Sequence, residues 1–303
     1  MNKLEANLVL LSVAFFWGVQ YVFFRGLPEG VSTFAFMALT YTIGFLLVAA
    51  VFSHELWKIT KREVKQSFLT AMLLFAANTL LTYGSRSLDS TISGFLATSY
   101  IIFVPLILLL FKQKATRNNL IGMAVCVAGL MLSTGFGLAG GLTAGALPIL
   151  AGNAIFAVYL VLVDRAAGNV NPVLLSIGQM GFSALFALAG WAIVQPSTLL
   201  RLPADASFWQ SVLMVAVFIR AFSTVMQLYA QRYVPAMNAS LALSTETIFT
   251  LFTAPLLAPL TGASAMPPTL PKVLGCAVLV CGVLISNGSI RLPYKRRKED
   301  FGA

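Results

Sequence analysis

Charge is scarce in this chain. Only 10% of its 303 residues are Asp, Glu, Lys or Arg and 58% are hydrophobic, whereas soluble globular proteins carry about 25% charged residues. With a mean hydropathy of +0.87, such a chain cannot solvate itself in water, so the bilayer is its expected solvent. Histidine is nearly absent. His54, beside Lys58 and Lys61 at the end of an apolar run, reads as a solvated loop residue. The three cysteines, Cys126, Cys276 and Cys281, fall in apolar runs without zinc-like spacing. They read as small packing residues, not as a metal site or a disulfide framework. No H-E-x-x-H, G-x-S-x-G or G-x-x-x-x-G-K-[ST] occurs, and no acidic pair has metal spacing. These absences argue against an intramembrane enzyme, a resident cofactor and an ATP engine. No period-2 alternation of the barrel type is present, which leaves helix as the spanning element.

Ten apolar runs are present, at 8–25, 32–52, 66–86, 91–111, 118–136, 144–163, 172–194, 208–230, 236–259 and 270–288. A helix needs about 20 residues to cross roughly 30 Å of hydrocarbon. The first run follows Lys3, is too long for a signal-peptide core and precedes no A-x-A site, so a retained first helix is expected. The net charge of +10 lies in short clusters between the runs, which argues against nucleic acid as a partner. Of the 20 Lys and Arg residues, 15 fall on one side of a ten-span topology and 4 on the other. That asymmetry predicts both termini in the cytoplasm. The basic tail RLPYKRRKEDFGA is explained by the same rule and by contact with lipid headgroups.

The chain repeats itself. YGSRSLDSTISGFLATSYIIF (83–103) lies over YAQRYVPAMNASLALSTETIF (229–249) at an offset of 146. IGMAVCVAGLMLSTG (121–135) lies over LGCAVLVCGVLISNG (274–288) at an offset of 153. FFWGVQYV (15–22) matches AIFAVYLV (154–161) more weakly. Five spans per half is an odd number, so the second half enters the membrane upside down. The expected fold is therefore an all-α membrane protein of ten transmembrane helices, built as two five-helix inverted-topology repeats over residues 1–137 and 138–303. Such repeats place substrate near the midplane between the halves.

These residues resemble the EamA family of the drug/metabolite transporter superfamily. The early Trp17–Gly18, FLATSYIIFVPLILLLF with LIGMAVCVAGLMLS, and the second copy ASLALSTETIFTLFTAPLLAPL with VLGCAVLVCGVLIS carry the likeness. The resemblance implies a ten-helix bundle that moves amino acids or other small metabolites, often outward. The family's usual Pro after the carboxylate of the ninth span is missing, because Glu246 stands in TETI.

Among the basic residues only Arg220, in FIRAFST, lies deep within a span, and among the acidic ones only Glu246 does. Counting about 1.5 Å per residue puts Arg220 roughly 18 Å from the outer end of its span and Glu246 roughly 15 Å from the inner end of the next. The short turn Tyr233–Pro235 makes the two spans expected neighbours, so the charges are expected to face each other near the midplane. Two readings stand. In one, Arg220 holds a substrate carboxylate and Glu246 binds an amine or a proton. In the other, the pair is a closed salt bridge that sets helix packing. Polar or aromatic residues expected to line the same cavity are Trp17, Gln20, Asn78, Tyr100, Asn153, Tyr159, Gln227 and Tyr229, each with helix-to-helix packing as the alternative. Kinks are expected at Pro105, Pro255 and Pro259. The functional expectation is a secondary transporter of the inner or plasma membrane. It would move a small polar metabolite by alternating access, with export as the favoured direction and protons as a candidate coupling ion. The alternatives are a proton-independent facilitator or exchanger, an importer of a vitamin or nucleoside and, outside transport, an intramembrane enzyme or a channel.

Overall fold

A computed structural model of the chain describes residues 1–113, 115–133, 145–199 and 202–286. All regular elements among them are helical. In order they are α1 (Lys3–Arg25), α2 (Thr33–Val51), the short α3 (Ser53–Leu56), α4 (Lys61–Ser87), α5 (Ser90–Ala97), α6 (Tyr100–Leu110), α7 (Arg117–Ser133) and α8 (Ala146–Ala166). There follow α9 (Pro172–Val194), α10 (Ala206–Met214), a π-helical stretch Val215–Ser223, α11 (Thr224–Ala230), α12 (Ala236–Leu243), α13 (Glu246–Thr261) and α14 (Leu270–Ser286). Eight rods among the described residues are long and apolar enough to cross a membrane, counting α5–α6, α10–α11 and α12–α13 as one rod each. The apolar helices α7 and α14 are shorter. The fold is that of an integral membrane protein. The boundary between the two expected halves and the basic tail lie outside the described residues.

The helices begin where side chains can take up orphan backbone N–H groups. Asn2 and Glu5 form a reciprocal capping box on α1, and Thr60 and Glu63 do the same on α4. The second box starts α4 at Lys61, earlier than hydropathy alone places it. Asn171 caps α9 just ahead of Pro172, and Asp205 caps α10.

Two spans are broken, and not at their prolines. The breaks fall at Thr98–Ser99 and at Ser244–Thr245, while Pro105, Pro255 and Pro259 sit inside continuous helix. The cause is local. Thr98 Oγ1 donates to Phe95 O (2.8 Å), Ser244 Oγ to Leu241 O (2.7 Å) and Thr245 Oγ1 to Ala242 O (2.7 Å). These hydroxyls compete with the i−4 ladder, and the backbone tightens into i−3 bonds such as Ser99 N to Leu96 O (3.0 Å). The Leu96 carbonyl gains a second donor from Asn153 Nδ2 (2.8 Å), which also reaches Ser99 Oγ (2.9 Å). The two breaks meet where Thr247 Oγ1 donates to Thr98 Oγ1 (3.2 Å).

Packing is closest between α7 and α14, and α4 lies on α8, α2 on α9 and α1 on α13. A Cβ on Gly122 would meet Gly282 O at 2.5 Å, and one on Gly129 would meet Gly275 O at 2.6 Å. The reverse holds for Gly282 and Gly275, at 2.6 and 2.5 Å. The antiparallel crossing is thus backbone against backbone, as small residues permit. Cys126 and Cys276 are buried beside it, whereas Cys281 faces outward, contrary to its reading as a buried residue. Two large apolar clusters fill the bundle, one around Leu10, Tyr100 and Leu279 and one around Phe24, Tyr41 and Ile219. Trp17 packs on both.

Gly129→Val should force α7 and α14 apart and destabilise the fold by about 1–3 kcal/mol. Gly168→Ala, which meets nothing within 4 Å, should not. Thermal unfolding in detergent reads both, and an unchanged midpoint for Gly129→Val would refute the close crossing.

Candidate functional site

Between the two apolar clusters lies a cavity of about 530 Å³ of atom-free space, counting its mouth. Eight of the ten residues expected from sequence line it, namely Trp17, Gln20, Asn78, Tyr100, Asn153, Arg220, Gln227 and Glu246. Tyr159 and Tyr229 do not. Tyr159 stands behind Phe156, its ring stacked at 5.3 Å and its hydroxyl 3.4 Å from Gln179 Oε1. Tyr229 is on the outer surface, where it packs on Tyr233.

Repeat-related positions meet in this cavity. At the offset of 146, Leu74, Asn78, Leu81 and Tyr100 lie over Arg220, Thr224, Gln227 and Glu246, and all eight line it. Trp17 and its counterpart Phe156 line it as well. The charges both come from the second half of the chain, and their counterparts Leu74 and Tyr100 are uncharged.

Arg220 is carried by the π-helical stretch, a wide turn found frequently at functional sites. Two hydroxyls support that turn by bonding five residues back, Ser223 Oγ to Phe218 O (2.7 Å) and Thr224 Oγ1 to Ile219 O (3.5 Å). The guanidinium lies over the Tyr41 ring, 4.3 Å from its centre, and points Nη2 at Met37 Sδ (3.3 Å). Gly44 lets α2 approach, since a Cβ there would be 2.9 Å from Arg220 Cβ. The Arg220 Nε has no partner among the described residues, although the side chain is only 3% exposed. A ring face answers part of the charge. It leaves the in-plane Nε–H free for an acceptor such as a carboxylate.

Glu246 opens α13 immediately after the break. Tyr21 donates its hydroxyl to Glu246 Oε2 (3.1 Å). The Tyr100 hydroxyl faces the same carboxylate but lacks hydrogen-bond geometry.

The closed salt bridge of the second reading is not formed among the described residues. Among the described residues the one ion pair is Lys58 with Glu55 at 2.8 Å, on the surface. The reason is that the two spans joined by Tyr233–Pro235 touch each other little, because α1 packs against both. Gly18 makes this possible. A Cβ there would meet Glu246 O at 2.7 Å, and Thr250 Oγ1 donates to Gly18 O (3.0 Å). Sequence reading did not find Met37, Tyr41 or Thr224 as parts of the site. Thr224 was findable as the repeat mate of Asn78. Met37 and Tyr41 carry no such mark, because their role depends on how α2 meets the π turn.

The comparisons with known proteins agree with this architecture. The EamA-like transporter family matches residues 4–135 and, separately, residues 143–288. A protein of Archaeoglobus fulgidus described as "Uncharacterized transporter" is 23% identical over 252 residues, which is 82% of this chain and 77% of that one. A solved crystal structure superposes with a TM-score of 0.69 at 18% identity, over 93% of this chain and 96% of its own, a likeness of fold. The class is that of a helical membrane transporter, and the chain belongs to the EamA-like transporter family.

Tyr41→Leu should lower the melting temperature, since it removes a cation–π contact of about 2 kcal/mol when desolvated and leaves Arg220 without its cover. Tyr41→Phe keeps the ring and should retain most of the stability. Equal losses in the two variants would show that the ring face does not hold the guanidinium.

Proposed function

We propose that the protein is a secondary transporter that binds a small polar metabolite between Arg220 and Glu246 and moves it by alternating access. The observation that carries this reading is one cavity holding two buried, opposite charges that do not pair with each other. A packing salt bridge would be closed. Two separated charges, with a free guanidinium Nε and a free Tyr100 hydroxyl, suit a ligand that brings a carboxylate to one end and an amine or proton to the other. Ionisable groups at membrane depth commonly mark substrate or ion pathways.

The architecture proposed is ten spans in two inverted halves, 1–137 and 138–303. Several observations support it. The family matches once in each half. The helix breaks Thr98–Ser99 and Ser244–Thr245 lie at the repeat offset. Exchanging the repeat mates turns the contact of Gly122 with Gly282 into that of Gly275 with Gly129, as a two-fold axis requires. The proposed setting is the inner membrane with cytoplasmic termini, from the Lys and Arg asymmetry. Export is the direction that the family resemblance implies.

Purified protein melted against amino acids, polyamines, nucleosides, carboxylates and vitamins tests the site. A true ligand at about 100 times its Kd adds roughly 2.7 kcal/mol of stability. The shift should vanish in folded Arg220→Ala and shrink in folded Glu246→Gln, which keeps a neutral hydrogen-bonding side chain at the other end of the cavity. Retention of the full shift in both variants would remove the cavity from the cargo route.

The unpaired carboxylate also favours proton coupling over proton-independent exchange, because among the described residues no cation pairs with Glu246 to keep it charged through the cycle. In vesicles, Glu246→Gln should abolish acceleration by a pH gradient yet keep counterflow of labelled substrate. A variant still driven by the gradient would favour the facilitator or exchanger.

A further inference from the structure

One group of buried polar side chains continues from the cavity beyond its lining. We infer that Ser183, Gln179, Tyr159, Gln227 and Gln231 form a hydrated lane along which small polar cargo passes between the cavity and the end of the bundle where α8 and α11 stop and α9 begins. The inference rests on the reading of the cavity as a cargo site.

The side chains form a descending series. Ser183 and Gln179 stand eleven and seven residues inside α9 from Pro172, roughly 16 and 10 Å deep at 1.5 Å per residue. Tyr159 is seven residues short of the end of α8 at Ala166, again roughly 10 Å deep. Gln227 is three residues from the end of α11 and Gln231 follows that end. The series connects to the cavity at both of its upper corners. Asn78, a lining residue, donates to the Tyr41 hydroxyl (3.2 Å), and Ser183 faces that same hydroxyl. Gln227, another lining residue, donates to Gln231 Oε1 (3.0 Å) and faces the Tyr159 hydroxyl, which in turn bonds Gln179 (3.4 Å).

Three atoms of the series are buried without a hydrogen-bond partner among the described residues, namely Ser183 Oγ, Gln179 Nε2 and Gln231 Nε2. Buried amides and hydroxyls left in that condition are costly, and water or a polar solute is what satisfies them. No member carries a formal charge, so the lane offers dipoles along its length and no fixed ion to trap a solute. The opposite end of the cavity has a different character. There the rings of Tyr21, Phe24 and Phe36 stack edge to face at 6.3 and 6.0 Å. Beyond them Arg25, Ser90 and Thr91 are hydrogen-bonded to the loop at Ser264 and Met266. One end is dry and latched, and the other is lined with dipoles.

The test uses the full chain with its three cysteines replaced and with Ser183→Cys, Gln179→Cys or Gln231→Cys introduced singly. Vesicles are treated with a membrane-impermeant cationic methanethiosulfonate and labelling is read by mass. Only a thiolate in water reacts, so each lane cysteine should label at least about tenfold faster than the lipid-facing control Leu185→Cys and the apolar-core control Leu160→Cys. Labelling at the control rate would overturn the lane. Hydroxyl-radical footprinting of the unsubstituted protein is the second measurement, should a variant not fold. Tyr159 should be oxidised well above the equally buried Phe208, and equal oxidation would again overturn the proposal. Both readouts are made without cargo. Failure of the melting screen therefore leaves a labelled lane standing, and an unlabelled lane leaves a ligand-bound cavity standing.

Discussion

The seating of α1 against α13 is the contact on which the rest of the structure depends. Gly18 brings the two backbones together, Thr250 bonds the Gly18 carbonyl, and Trp17 and Tyr21, one turn apart on the same face of α1, both line the cavity. With α1 in this place, the span bearing Arg220 and the span bearing Glu246 are held apart. In water the separation would matter little, since solvent would screen and solvate both groups. In hydrocarbon each must find its own partner, because an uncompensated buried charge costs several kcal/mol. The ring of Tyr41 and the hydroxyl of Tyr21 serve the two charges separately. A contact of one glycine width thereby keeps the two groups from closing on each other.

Much of this was legible in the residues. Scarcity of charge and the length of the apolar runs imply membrane helices, and the spans from sequence coincide with the observed rods to within a few residues. The single deep Arg and the single deep Glu also reach one cavity. What could not be read depends on interactions between distant segments. Hydropathy does not see the helix breaks, because the serines and threonines that cause them are as tolerable within a span as their neighbours. Proline is the more visible breaker, yet α6 and α13 run on as helix through Pro105, Pro255 and Pro259. Adjacency in sequence suggested that consecutive spans would touch, and the third body between them, α1, is remote in sequence. Tyr159 and Tyr229 share the composition of cavity residues but project to other faces of their helices.

The two broken spans and the cavity belong together physically. A membrane helix can be interrupted only where the freed groups are taken up by protein or water. Here Asn153 serves the Leu96 carbonyl, and hydroxyls at each break serve the rest. The breaks touch through Thr98 and Thr247, so the irregular backbone of both halves is concentrated at one depth, next to the carboxylate of Glu246. Polar demand that would be costly if dispersed is satisfied in one place.

The π-helical stretch has a consequence for how this protein can vary. In an α-helix, changing the aim of a side chain requires substitution or a new rotamer. Between Val215 and Ser223 the wide turns are held by hydroxyl bonds to carbonyls five residues back. Shortening that stretch by one residue would return it to α geometry with the flanking turns kept in register, so that only the side chains within it change their aim. The aim of the guanidinium is thus written in chain length as well as in residue type, and a single-codon deletion would point a different side chain into the cavity while leaving the composition of the span almost unchanged.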